Sequence, residues 1–349
     1  MKDDPSSKTV YFLGAGASKA SDFELPAMTG FFREEDFDSK GYSNLHKFIK
    51  ENFPNISFKE LNLEEMVTCL ELSLDKFSSF GEHPEVYLYE ARREFDKYVN
   101  IRLEIPNKKG CNKFKNLFKD LTEFESKDTV ITINYDLVVD NTLWELSPKE
   151  GIEGELKMKH GCLLDRMYGL LGVTRLIHGD RPSLYPQDKN KGFYLKLHGS
   201  IDWLYCPNQT CGNHQLFFPN WIDSSEVHNV PGDLCSLCGS PLVSVIIPPT
   251  MHKSFENFPK LGLLWSLAYR ELKQADKIIM IGVSLVESDY YLNWLIRSAI
   301  RASENNSQVE VVNKEGRKEE IFEKIKKLTG ITPKYQGDLD EYIEKIKTN

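Results

Sequence analysis

The sequence has no excess of basic charge. It holds 44 Lys and Arg against 52 Asp and Glu, a formal net charge of −8. A chain that binds DNA or RNA unaided usually shows the opposite balance, so direct nucleic-acid binding is not expected. The densest basic cluster, Lys108, Lys109, Lys113, Lys115 and Lys119, reads as a solvated helical face. The N-terminal MKDDPSSK holds no apolar h-region, so no signal peptide is expected. The longest apolar run, Ile278 to Val286, falls far short of the roughly 20 residues a bilayer requires. These absences point to a cytoplasmic protein with no membrane partner. Internal repeats and low-complexity segments are also missing. Cysteine is scarce and unevenly spread: Cys69, Cys111 and Cys162 read as ordinary buried thiols, while the other four of the seven are bunched. In a reducing compartment bunched thiols suggest metal rather than disulfides.

Short apolar runs stand at intervals along the chain. Thr9 to Leu13, Thr129 to Ile133, Phe193 to Leu197, Val243 to Ile247, Lys277 to Ile281 and Val309 to Val312 read as strands. Helices are expected over about 137–146, 258–272, 289–301 and 318–328. Residues 30–125 are charged and helix-periodic, with Leu63, Met66, Val67 and Leu70 on one face, and read as a helical insertion. Residues 147–190 read as loop. Strands alternating with helices imply a doubly wound α/β fold, a parallel sheet with helices on both faces. Ligands bind such sheets at the carboxyl ends of the strands.

Five polar or glycine-bearing motifs follow predicted strands. Gly14-Ala15-Gly16-Ala17-Ser18 is a strand-to-helix turn suited to a pyrophosphate, although Lys19 stands where the usual dinucleotide fingerprint has its third glycine. Asn134 and Asp136 can meet ribose hydroxyls, an amide or a water, and Asp136 can equally cap a helix. His198, at the end of YLKLH, is either a core histidine satisfied by backbone or a general base. Gly282-Val283-Ser284-Leu285 repeats the first logic. Asn313 puts an amide after the last strand. Asp289, at the start of a helix, reads as a cap.

Cys206-x4-Cys211 and Cys235-x2-Cys238, with 23 residues between the pairs, have the spacing of two zinc knuckles. Four protein ligands leave no open position, so the metal would be structural. Gly212 and Gly239 suit the tight turns, and His214 is an alternative to Cys211.

Taken in order, the glycine loop, TxNxD, HGS, the two cysteine pairs, GxSL and VN resemble the sirtuin family, from about Val10 to Asn313. The resemblance implies a Rossmann-like fold, one domain over 1–349 carrying the insertion 30–125 and a zinc module at 204–242. It implies NAD contacts at Gly14, Ala15, Gly16, Ser18, Gly282, Ser284 and Asn313. It implies reaction-centre roles for Asn134, Asp136 and His198, and a structural zinc on Cys206, Cys211, Cys235 and Cys238.

The sequence also departs from the protein-deacylating members. Phe23-Glu24-Leu25-Pro26-Ala27-Met28 replaces their Gly-Ile-Pro-Asp-Phe-Arg, and Val245-Ile246-Ile247-Pro248-Pro249-Thr250 replaces their peptide-binding segment. Two prolines remove two backbone donors and suit peptide strand addition badly. These departures resemble the prokaryotic sirtuin-like branch of anti-phage defence. That resemblance implies an NAD glycohydrolase that works as a homo-oligomer or beside a ring ATPase or argonaute-type sensor. An NAD-dependent lysine deacylase and a non-catalytic NAD- or ADP-ribose-sensing module are the alternatives.

Overall fold

The structure, a computed structural model, describes residues 7–37, 41–79, 86–106, 109–119, 127–146, 192–206, 208, 210–211, 216–217, 232–247, 259–303 and 305–348. The loop-rich stretch 147–190, Cys162, Lys108, Gly212, His214 and Pro248-Pro249 fall outside these residues. The chain divides into two compact units, one of Met1–Glu24, Ile105–Gly199 and Met251–Asn349, the other of Leu25–Glu104 and Ser200–Thr250.

The first unit is built on a six-stranded parallel sheet. Its strands are β1 (Thr9–Leu13), β2 (Thr129–Thr132), β3 (Tyr194–Lys196), β7 (Lys277–Ile281), β8 (Gln308–Val312) and β9 (Lys334–Tyr335). They stand in the order β3-β2-β1-β7-β8-β9, every pair parallel. Counted along this sheet alone, the order is 3-2-1-4-5-6, the doubly wound pattern whose direction reverses between its first and fourth strands. Here that reversal lies between β1 and β7.

The central strands are buried on both faces. Val10, Phe12, Leu13, Val130, Ile131 and Ile278 are fully covered, which is why these strands read as continuous apolar runs rather than alternating ones. Helices α6 (Asn112–Phe118), α7 (Val138–Leu146) and α11 (Leu339–Thr348) pack together, as do α8 (Pro259–Lys273), α9 (Tyr290–Arg301) and α10 (Lys318–Thr329). Right-handed crossovers running in opposite directions from β1 put the two groups on opposite faces. The amphipathic α9 buries Leu292, Leu295, Ile296 and Ala299, an i, i+3, i+4, i+7 stripe.

The second unit joins α2 (Glu34–Phe37), α3 (Ser43–Asn52), α4 (Leu63–Ser79) and α5 (Val86–Arg102) to a small sheet, β5 (Leu216–Phe217), β4 (Gly199–Tyr205) and β6 (Val243–Ile246), in that order. Leu63, Met66, Val67 and Leu70 are all buried, as their spacing predicts. Aromatic rings of Phe32, Phe37 and Tyr42 gather around Tyr98, with Phe58 against Phe37, and the Tyr98 hydroxyl donates to Asp36.

Gly199, at φ +86°, turns the chain after His198 directly into β4. Two local readings change. The run at Val243 pairs in the small sheet, not the parallel one. After β8 and α10 the sheet gains β9 and a final helix, α11, where the sequence reading stops.

Candidate active site

The five motifs sit where the fold predicts. Gly14, Asn134, His198, Gly282 and Asn313 each follow β1, β2, β3, β7 and β8 by one or two residues, at one edge of the parallel sheet.

The two glycine loops touch backbone to backbone. Gly16 N donates to Gly282 O, Gly14 N to Ile281 O, and Gly282 N to Val312 O. A Cβ on Gly14 or Gly16 would come within 2.7 Å of Gly282 O. A Cβ on Gly282, whose φ is +62°, would lie 2.1 Å from Ala17 N. Mutual loop packing is therefore enough to demand these glycines, whatever ligand approaches. Ala15 opens the five-residue α1 (Ala15–Lys19) and is half-buried. Ser284 is half-buried, with its carbonyl held by Lys324 Nζ at 3.0 Å. Asn313 is occupied structurally: Nδ2 donates to Val283 O, and Oδ1 accepts from Lys314 N.

Asn134 and Asp136 belong to one buried network. Asn134 Nδ2 donates to Gly14 O at 3.0 Å and to Ser18 Oγ at 2.8 Å. Ser18 in turn bonds the Asp136 carboxyl, which also accepts from Val138 N at the start of α7. The capping role foreseen for Asp136 is present. Burial pushes its carboxyl above the ordinary carboxylate range, while the Lys196 ammonium and the Ser18 hydroxyl pull it back down. Asn134 Oδ1 is buried and has no hydrogen-bond partner among the described residues. A buried amide oxygen left so is costly, and such atoms recur where a ligand completes the bonding.

His198 is 2% exposed. Its Nε2 lies 3.0 Å from Asp289 Oδ2. The Trp265 ring of α8 lies nearly parallel to it at 6.1 Å, and Tyr135 flanks it at 6.4 Å. Trp265 Nε1 donates to Leu197 O and so fixes the strand end that carries the histidine.

Sequence reasoning missed Lys196, Asp140, Trp265 and the contact between Asp289 and His198. Lys196 is fully buried; its Nζ donates to Asp136 O at 2.6 Å and to Asp140 Oδ2 at 2.9 Å, and Tyr194 also donates to that oxygen. The signal was a lysine between two leucines in an otherwise apolar strand. Lys196→Met should cost about 3–5 kcal/mol, since it leaves the Asp140 charge buried without its cation. Urea denaturation checks this, and adding Asp140→Asn should recover part of the loss.

In the second unit, the four predicted thiols converge. The sulfurs of Cys206, Cys211, Cys235 and Cys238 all lie within 4.8 Å of one another, with Cys206–Cys238 at 3.4 Å and Cys211–Cys235 at 3.8 Å. Tetrahedral zinc with bonds of about 2.3 Å sets its sulfurs roughly 3.8 Å apart, so the donor set fits Zn2+. Burial pushes the Cys206 thiol up to about 12, while the Ser240 hydroxyl and backbone hold Cys238 down to about 6. Gly239, at φ +71°, closes the second knuckle, its N–H on Cys235 O. Metal analysis of purified protein should give about one zinc per chain, and Cys235→Ser should lower both zinc content and thermal stability. Fully folded, zinc-free protein would overturn this assignment.

Comparison with profiles of known protein families found no match, and neither did a search of curated proteins. Solved structures do match. A Sir2 homologue mutant in complex with ADP-ribose aligns with a TM-score of 0.47 and 15% identity, over 98% of this chain and 92% of that one. Sir2Tm bound to a propionylated peptide aligns with a TM-score of 0.43 and 14% identity, over 97% and 90%. Both of these are Sir2 proteins. At such scores the likeness is one of chain trace and says nothing of chemistry. Among the described residues, no helix is long and apolar enough to cross a membrane.

Proposed function

We propose that the protein is a sirtuin-like NAD glycohydrolase, cleaving NAD+ with water to nicotinamide, ADP-ribose and a proton. The observation that carries this reading is the unpartnered Asn134 Oδ1, buried beside the glycine loop where the strand order reverses. Dinucleotides bind doubly wound sheets at that reversal. The order of motifs along the chain supports the same reading.

The residue types suit the reaction. Breaking the bond between nicotinamide and ribose builds positive charge at C1′ of the ribose as neutral nicotinamide departs. Asn134 offers a fixed amide dipole with an unused oxygen for that charge or for the attacking water. Asp136, its carboxyl raised by burial, can meet the nicotinamide amide. His198 takes the proton released by the attacking water or by a ribose hydroxyl. Placement and fixed dipoles supply most of such an acceleration because the leaving group is already cationic. Gly14, Ala15, Gly16, Ser18, Gly282, Ser284 and Asn313 would line the phosphates and riboses, the first three and Gly282 through backbone. Water is the favoured acceptor because Pro248 and Pro249 supply no backbone N–H for a peptide strand. The biological role proposed is NAD depletion in bacterial anti-phage defence, by a homo-oligomer or an assembly with a ring ATPase or argonaute-type sensor.

The full chain is incubated with NAD+, with and without an acetyl-lysine peptide, and the products are separated. Equal amounts of nicotinamide and ADP-ribose without peptide, lost in His198→Ala, are expected. Release that requires the peptide and yields O-acetyl-ADP-ribose would make the protein a deacylase. Tight NAD+ binding without turnover would make it a sensor.

A further inference from the structure

Asp289 has two carboxylate oxygens with two different jobs. Oδ1 accepts from Leu292 N at 3.1 Å and caps α9. That duty needs one oxygen, and serine, threonine or asparagine performs it equally well. Oδ2 faces the other way, 3.0 Å from His198 Nε2. Both side chains are almost wholly buried, 3% and 1% exposed. A buried carboxylate is expensive unless something offsets its charge. The N-terminus of α9 offsets part of it. A cation on the imidazole, 3.0 Å from Oδ2, would offset more.

We propose that Asp289 is a positioning residue for His198, holding its ring and stabilising the imidazolium that forms when His198 takes up a proton. This rests on the reading that His198 handles a proton in NAD+ cleavage.

The surroundings are consistent with a pair acting as a unit. The rings of Trp265 and Tyr135 stand beside the imidazole at 6.1 and 6.4 Å between centroids. Asp289 is itself immobilised, since the helix it caps is anchored by Leu292, Leu295, Ile296 and Ala299. Among the described residues, the titratable groups facing the imidazole are Asp289 from the start of α9 and Tyr135 from the β2–α7 turn; Trp265 of α8 has none to offer, and Tyr291 lies behind it at 6.4 Å. Lys196, two residues back, is committed to Asp136 O and Asp140. Among these, the carboxylate is the group that carries a charge beside the ring.

Asp289→Asn is the decisive variant, because it keeps the cap and removes the charge. Kinetics of nicotinamide release should show kcat reduced by about 10²–10⁴, the scale seen when the carboxylate of a histidine–aspartate pair is neutralised. KM for NAD+ should move less than about threefold, and the melting midpoint should stay near the wild type. Histidine-ring NMR titration, with the His198 signals assigned through His198→Gln, should show its midpoint falling by about one to three pH units in Asp289→Asn. Asp289→Ser, which caps but carries no charge, should behave alike in both. Unchanged kcat together with an unchanged titration midpoint would reduce Asp289 to a helix cap and overturn the proposal. The titration needs no turnover. If the wild type released no nicotinamide, the glycohydrolase reading would fail while the ring midpoint still showed whether the two side chains are coupled.

Discussion

Gly282→Ala is expected to destabilise the first unit by more than about 4 kcal/mol, a loss reserved for a few identifiable mechanisms. Two of them coincide here. At φ +62° a non-glycine residue is strained by roughly 1–2 kcal/mol. Its Cβ would also sit 2.1 Å from Ala17 N and 2.3 Å from Gly16 C, both backbone atoms of a loop pinned by its own hydrogen bonds to residues 281 and 282. Neither side can yield without separating the β1 and β7 loops. At roughly 2–4 °C per kcal/mol for a unit of this size, a melting point lowered by 8 °C or more is expected. Gly316→Ala is the matched control, as its Cβ meets nothing within 4 Å, and it should melt within about 2 °C of the wild type. Equal melting points for the two variants would refute the account of loop packing.

Asn134→Ala should separate activity from stability. On the proposed reading it removes the fixed dipole at the reaction centre, and kcat should fall by about 10²–10³, the usual loss for one such group. Its effect on folding should be small. Two hydrogen bonds from Nδ2 disappear, each worth about 1 kcal/mol net, but the burial of a partnerless Oδ1 disappears with them. The two contributions oppose one another, so the melting point should drop by only a few degrees. Asn134→Asp is instructive by contrast. It keeps the shape but sets a second carboxylate within the network of Asp136, and it should be the less stable variant. Nicotinamide release and thermal melting on the same preparations decide both. Wild-type kcat in Asn134→Ala would remove Asn134 from the chemistry.

How much of this could be read from the chain depends on which interactions are local. β1, β2, β7 and β8 are legible because a strand buried on both faces must be apolar throughout. The ends of those strands are legible because polar residues and glycine interrupt the runs. Hence Asn134, Asp136, His198, Gly282 and Asn313 can be named as one edge without coordinates. The four thiols are legible from spacing, because a tetrahedral metal needs two tight turns. β9 is only two residues long and carries no periodic signal. The helix α11 did carry one. Asp338 accepts from Glu341 N while Glu341 reaches back to Asp338 N, a reciprocal cap, and Leu339, Tyr342 and Ile343 bury its face. Contacts across long separations were invisible. Nothing local says that Asp289 reaches His198, or that Lys196 turns inward rather than to solvent. The glycines were legible as a loop, but their reason lies in a second loop more than two hundred residues away.

The position of β1 also bears on how the chain is made. Of the described strands it precedes all the others along the chain, yet it lies inside the sheet, between β2 and β7. At its start Thr9 N donates to Asp128, 119 residues downstream, and the preceding Lys8 N donates to Asp276, 268 residues downstream. During translation an apolar strand therefore waits for β2 on one edge and, far longer, for β7 on the other. Loop closure over such distances is slow, and an unpaired strand edge invites association with other chains. Efficient production should therefore depend on something that shields residues 9–13 until β7 arrives, and refolding from denaturant should be slow and sensitive to concentration.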